Sequence, residues 1–232
     1  MNWSEYQPYD QAQQLRELVR QERAAATALP PLSPEREKRT RVITVTSGKG
    51  GVGKTNLVAN LGIALASEGL RVGLFDADLG LANIDVLLGL VPRYSLAHVL
   101  SGERQIEEIM VPGPGGVMIL AGASGMSSLA DVPPESLHRL IQSMDRLDGL
   151  LDICLVDTGA GIGRQVMSFV LVAEEVVVVT TPEPTAVTDA YGLIKTLKLN
   201  RSSAGIFLVV NMVEGPVEGQ EIFHRLQTVS QR

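Results

Sequence analysis

One cysteine in 232 residues, Cys154, leaves the chain without an internal disulfide and fits a reducing, cytosolic setting. It sits in the apolar run DICLVD, which gives it a buried structural place rather than a reactive one. Aromatic residues are scarce at 4%, yet hydrophobic residues reach 45%. Ala, Val, Leu and Gly carry that content, as in a parallel sheet covered by helices. Basic excess is absent. The formal net charge of −6 argues against a protein whose main task is gripping nucleic acid, which needs a cationic surplus. The three histidines, His98, His138 and His224, lack the spacing of metal ligands, and no Ser-His-Asp arrangement stands out. No apolar run is long and unbroken enough to span a membrane. The longest uncharged stretch, residues 109–130, is cut by Pro and Gly and reads as loop, strand, loop. Residues 1–30 hold no continuous apolar core of the kind a signal peptide needs.

Two regions are present. In residues 1–40, Asp10 is a good helix N-cap, with Gln13 completing a capping-box pattern. Ala12, Leu15, Leu18 and Val19 then share one helical face. The helix is expected to end near residue 28, because residues 29–34 contain three prolines. A mixed-charge run follows, so this region reads as a helix on a flexible tether. In residues 41–232 apolar strands alternate with helical patterns. Strands are expected over 41–46, 71–75, 117–120, 152–156, 176–180 and 206–210. Helices are expected over 54–68, 134–147, 164–172, 185–199 and 219–228. The alternation predicts a three-layer α/β fold, a mostly parallel sheet with helices on both faces.

Residues 48–55, GKGGVGKT, fit G-x-x-x-x-G-K-[ST] between an expected strand and an expected helix, which makes the fold that of a P-loop NTPase. Gly48, Gly50, Gly51 and Gly53, with Val52, let backbone N–H groups turn inward around phosphate oxygens, and the helix adds its positive end. Lys54 is placed to reach the β- and γ-phosphates of ATP, and the Thr55 hydroxyl to bind Mg²⁺. Asp76 and Asp78 end the second expected strand, and Asp157 ends a later one. Carboxyl ends of parallel strands are where open α/β sheets bind ligands. An apolar strand ending in Asp is also the arrangement that holds Mg²⁺ through water.

Lys49 lies inside the loop, and KGGVGKT resembles the deviant phosphate loop of the MinD/ParA family. The resemblance implies slow, Mg²⁺-dependent ATP hydrolysis by a homodimer in which Lys49 crosses to the partner's nucleotide. DADLG, from Asp76, is similar to that family's first switch. This implies that Asp78 orients the attacking water and that Asp76 contacts Mg²⁺ through water or is structural. DTGAG, with Thr158, Gly159 and Gly161, corresponds to a second switch, its Gly161 N–H near the γ-phosphate. Asn211 stands where the family places an adenine-pairing asparagine. Pro182 and Glu183 resemble the segment flanking the base.

DTGAG, TTPEPTAVTDAYGLIK and the DQAQQLR motif together resemble the FlhG (FleN/YlxH) branch of that family, which sets flagellar number and placement. The resemblance implies that Asp10, Gln11, Ala12, Leu15 and Arg16 dock on the GTPase FlhF and stimulate its GTP hydrolysis. Flagellar C-ring proteins and a FleQ-type transcription activator are further implied partners, as is other cargo if the chain is a general positioning ATPase. The branch also has a last strand and an amphipathic helix for peripheral inner-membrane contact. Neither is expected before Arg232, so membrane binding is an expectation for a longer chain.

Overall fold

Isoleucine, valine and threonine fill the first strand, β1 (Arg41–Ser47), and β-branched side chains suit a strand buried on both faces. The computed structural model describes residues 39–122, 132–200 and 204–230, all within the compact unit Glu37–Arg232. The helix and tether were expected over residues 1–40, of which residues 1–38 lie outside the described residues.

After β1 the order is α1 (Lys54–Ser67), β2 (Val72–Asp76), α2 (Ile84–Leu87), α3 (Leu96–Leu100), β3 (Val111–Pro112) and β4 (Met118–Leu120). Then come α4 (Pro134–Ser143), β5 (Ile153–Ala160), α5 (Arg164–Val172), β6 (Glu175–Thr180), α6 (Pro184–Leu199), β7 (Gly205–Val210) and α7 (Pro216–Ser230). Proline begins α4, α6 and α7, where its missing N–H has no helical partner to lose. The strands form one sheet in the order β3-β4-β2-β5-β1-β6-β7. Every pairing is parallel except β3 with β4.

Alternation along β5 shows both faces covered. Ile153 and Leu155 join a core with Val58 of α1. Cys154 and Val156 join another with Leu96 of α3, Leu137 and Leu140 of α4 and Phe169 of α5. Successive strand residues point to opposite faces, so helices sandwich the sheet, as expected. A third core packs α5 and α6 against Val176 and Val178. Cys154 is fully buried, and burial pushes its thiol pKa up to about 12, which suits a structural residue.

The helix expected over 134–147 breaks into α4 and a 3₁₀ turn, Met144–Leu147. The short elements α2, α3 and β3 were not foreseen. At two to five residues they are too short to show a period. No helix among the described residues is long and apolar enough to cross a membrane.

Candidate functional site

The carboxyl ends of β1, β2 and β5 lie side by side, with Asp76 opposite Asp157 and Val45 opposite Asp157 in register. The loop leaving β1 passes over this edge into α1. Its geometry depends on two glycines. A Cβ on Gly48 would lie 2.3 Å from the carbonyl carbon of Asp189 in α6, so only glycine admits that helix. Gly53 caps α1 at φ 95°, a left-handed conformation that other residues adopt at a cost. Ser47 closes the loop's first turn by donating from Oγ to Lys49 O at 2.7 Å.

Lys54, the first residue of α1, is largely removed from water. Burial lowers its pKa, and the carboxylates of Asp157 and Asp78 act against that. Asp157 is 2% exposed. Burial raises its pKa to about 6, against a hydrogen bond from Thr55 and the charge of Lys54, with Asp78 adding to the rise. Its Oδ1 is buried without a hydrogen-bond partner among the described residues. An orphaned carboxylate oxygen beside a desolvated ammonium and a hydroxyl fits a hydrated cation held against phosphate.

Asp76 is committed to the backbone. Its Oδ2 accepts from Asn83 N at 2.8 Å and Ile84 N at 2.9 Å, and its Oδ1 from Asp78 N at 3.3 Å. Burial still lifts its pKa to about 7. The carboxylate thus fixes the turn that presents Asp78. Asp78 accepts from Leu81 N at 3.2 Å and faces Gly159, whose added Cβ would lie 3.5 Å from Asp78 Oδ2.

The segment after Asp157 continues the strand to Ala160. Thr158 Oγ1 donates to Val45 O at 3.2 Å or Gly159 O at 3.0 Å. The Gly161 N–H, expected near a γ-phosphate, donates here to Ser47 O at 2.8 Å. This docks the segment after Asp157 on the start of the phosphate loop.

Lys49 Nζ pairs with Glu183 Oε1 at 2.5 Å and donates to Thr185 Oγ1 at 3.0 Å. The Glu183 carboxyl is held below its ordinary pKa, first by the Lys49 hydrogen bond and then by that of Thr185. Pro182, half-buried, precedes this contact. Asn211 Nδ2 donates to Val52 O at 2.9 Å.

The fold therefore brings together Gly48, Lys49, Gly50, Gly51, Val52, Gly53, Lys54 and Thr55 with Asp76, Asp78, Asp157 and Gly159. Glu183 and Asn211 also reach the loop, through Lys49 and Val52. Asp10, Gln11, Ala12, Leu15 and Arg16 lie outside the described residues. Sequence reasoning missed Thr185 and Asp189. The first carried a faint signal, a hydroxyl at the start of a helix. The second carried none, since it meets the loop through its main chain and Cβ.

Residues 38–225 match the ParA family, described as the NUBPL iron-transfer P-loop NTPase. The chain is 48% identical to Antiactivator FleN of Pseudomonas aeruginosa, across 83% of this chain and 69% of that one. It is 42% identical to Flagellum site-determining protein YlxH of Helicobacter pylori, across 82% and 64%. The chain thus spans about two thirds of the length of these curated relatives. Among solved structures, septum site-determining protein MinD complexed with Mg-ADP from Pyrococcus horikoshii superposes with a TM-score of 0.69. Identity there is 33%, with 79% of this chain and 77% of that one covered.

Proposed function

The chain belongs to the ParA family of P-loop NTPases as a homologue of FleN and YlxH, and from that premise we propose that it is an ATP-driven dimerisation switch for flagellar number and placement. The observation that carries the nucleotide reading is the buried Asp157 Oδ1, without a hydrogen-bond partner among the described residues, beside Thr55 and Lys54. Residues 48–54 cradle the phosphates with backbone N–H groups and the Lys54 ammonium. Thr55 holds Mg²⁺, with Asp157 holding it through water; the ion, when bound, neutralises phosphate charge. Asp78 orients water for attack on the γ-phosphate. Gly161 gives up Ser47 O to bind the γ-phosphate, which makes the second switch sensitive to its loss.

Lys49 completes the switch. It leaves Glu183 and contacts the nucleotide of a second copy, so hydrolysis is slow and depends on the dimer. The 37% exposure of its side chain supports that reach. In this reading Asn211, Pro182 and Glu183 flank the base. Asp10, Gln11, Ala12, Leu15 and Arg16 dock on FlhF and stimulate it, with Gln11 helping to orient the partner's water. C-ring proteins are a further partner class, and the inner membrane is one for a chain carrying an amphipathic C-terminal helix.

Size-exclusion chromatography with ADP and then with a non-hydrolysable ATP analogue tests the central claim. A dimer is expected with the analogue only. Monomer under both conditions sinks the switch. A peptide of residues 1–30 should accelerate GTP hydrolysis by FlhF; no effect returns the reading to a ParA- or MinD-like positioning ATPase with other cargo. The name Antiactivator for the 48% identical relative favours a second reading, a co-regulator of a FleQ-type activator that uses nucleotide as a state marker. Binding to such an activator unchanged by Lys54→Ala would select it.

A further inference from the structure

Asn211 follows β7, 159 residues from Val52 in sequence, and its Nδ2 donates to the Val52 carbonyl at 2.9 Å. A carbonyl oxygen can only accept, so chemistry fixes which end of the amide faces the loop. The approach is tight. A Cβ on Gly53 would lie 2.4 Å from that same Nδ2, so a side chain there would push the amide off Val52. Asn211 is in turn anchored through its backbone N–H, which donates to Thr180 O at 2.8 Å. The next residue, Met212, has φ 58° and is the one non-glycine residue at positive φ among the described residues. Such a conformation persists only where its surroundings impose it. The turn that strains Met212 is the one that aims Asn211 at the loop.

We propose that Asn211 is a positioning residue for the phosphate loop, holding the Val52 peptide so that the neighbouring N–H groups converge on phosphate. The proposal rests on residues 48–55 being a nucleotide-phosphate site. Val52 is packed into the core on its side-chain side, and Asn211 restrains the same residue from its carbonyl. The bond to Val52 uses one of the two Nδ2 hydrogens, so Oδ1 and one N–H remain for a base. The brace and the base pairing expected from sequence therefore draw on different atoms of one amide, and a ligand without a base isolates the brace.

Titration calorimetry with magnesium pyrophosphate, which has no base, and with Mg-ADP separates the two roles. If the wild-type chain binds neither, the nucleotide reading itself fails. Given wild-type binding, Asn211→Ala is expected to weaken both ligands by a common factor of about tenfold, the worth of one well-placed hydrogen bond. The isosteric Asn211→Asp sets an acceptor against the Val52 carbonyl and is expected to weaken both further. Melting temperatures of the nucleotide-free variants should stay close to wild type. Unchanged pyrophosphate affinity in either folded variant overturns the proposal, because Asn211 then serves the base alone. A collapse of melting temperature in both variants overturns it too, because the residue is then merely structural.

Discussion

The Lys49 ammonium lies 2.5 Å from Glu183 Oε1, 134 residues away in sequence, so the loop's second lysine is gripped by its own chain. Thr185 steadies the pair by donating to the same Oε1 at 2.8 Å. A lysine that must reach a second copy has first to leave this contact. Glu183→Gln is therefore expected to lower the ATP concentration that half-saturates dimer formation. The pair is exposed, and exposed pairs are weak, so the shift should be about twofold to fivefold. Light scattering across an ATP series measures it. An unshifted or rising half-saturation point counts against competition between the two contacts.

The loop's backbone makes a sharper prediction. Gly48→Ala drives a methyl against the Asp189 main chain, which cannot rotate away. The expected cost is about 1–3 kcal/mol of stability, typical of overpacking, together with loss of nucleotide binding as α6 and the loop separate. Thermal melting and calorimetry read the two effects. Gly50→Ala is the control, since nothing lies within 4 Å of a Cβ there, and its melting temperature should match wild type.

Burial sets a pH dependence for the nucleotide-free protein. Folding raises the pKa of Asp157 to about 6 and that of Asp76 to about 7, from an ordinary 3.8. The folded state thus binds these protons more tightly. Their contribution is fully present below about pH 4 and is lost as pH rises through 6 and 7. Each group can change stability by at most about 1.4 kcal/mol per pH unit. Melting temperatures between pH 4.5 and about 8 should therefore fall more steeply for wild type than for Asp157→Asn. Parallel curves would remove Asp157 from the explanation.

The sheet, β3 apart, and its main helices were legible because the strands are short apolar runs rich in Val, Ile and Leu and each long helix repeats its apolar face over several turns. The phosphate loop was legible because its chemistry is local: eight consecutive residues carry glycines, lysine and threonine in fixed order. Asp76, Asp78 and Asp157 were legible because strand ends in a parallel sheet converge. What stayed hidden depends on distant backbone. No pattern in residues 48–55 shows that Asp189 will press on Gly48, that Asn211 will hold Val52, or that Gly161 will donate to Ser47. Those contacts are decided by how α6, β7 and β5 pack, and only the assembled sheet displays them.

Asp78 offers the cleanest separation of binding from chemistry. Its turn is fixed by Asp76, which accepts Asp78 N at 3.3 Å, so a substitution at Asp78 leaves that scaffold standing. Asp78→Asn is expected to bind ATP as wild type does, because the loop amides are untouched and Lys54 keeps its Asp157 neighbour. Hydrolysis should fall by about 10²–10⁴-fold, the usual contribution of a side chain that takes up a proton in the transition state. ATP would then persist, and dimer should accumulate. Gly159→Ala adds a methyl at an ordinary 3.5 Å from Asp78 Oδ2, so it should hydrolyse ATP at close to the wild-type rate. Single-turnover hydrolysis measured beside ATP binding tests both. An Asp78→Asn chain that hydrolyses ATP normally would move the catalytic role to another group.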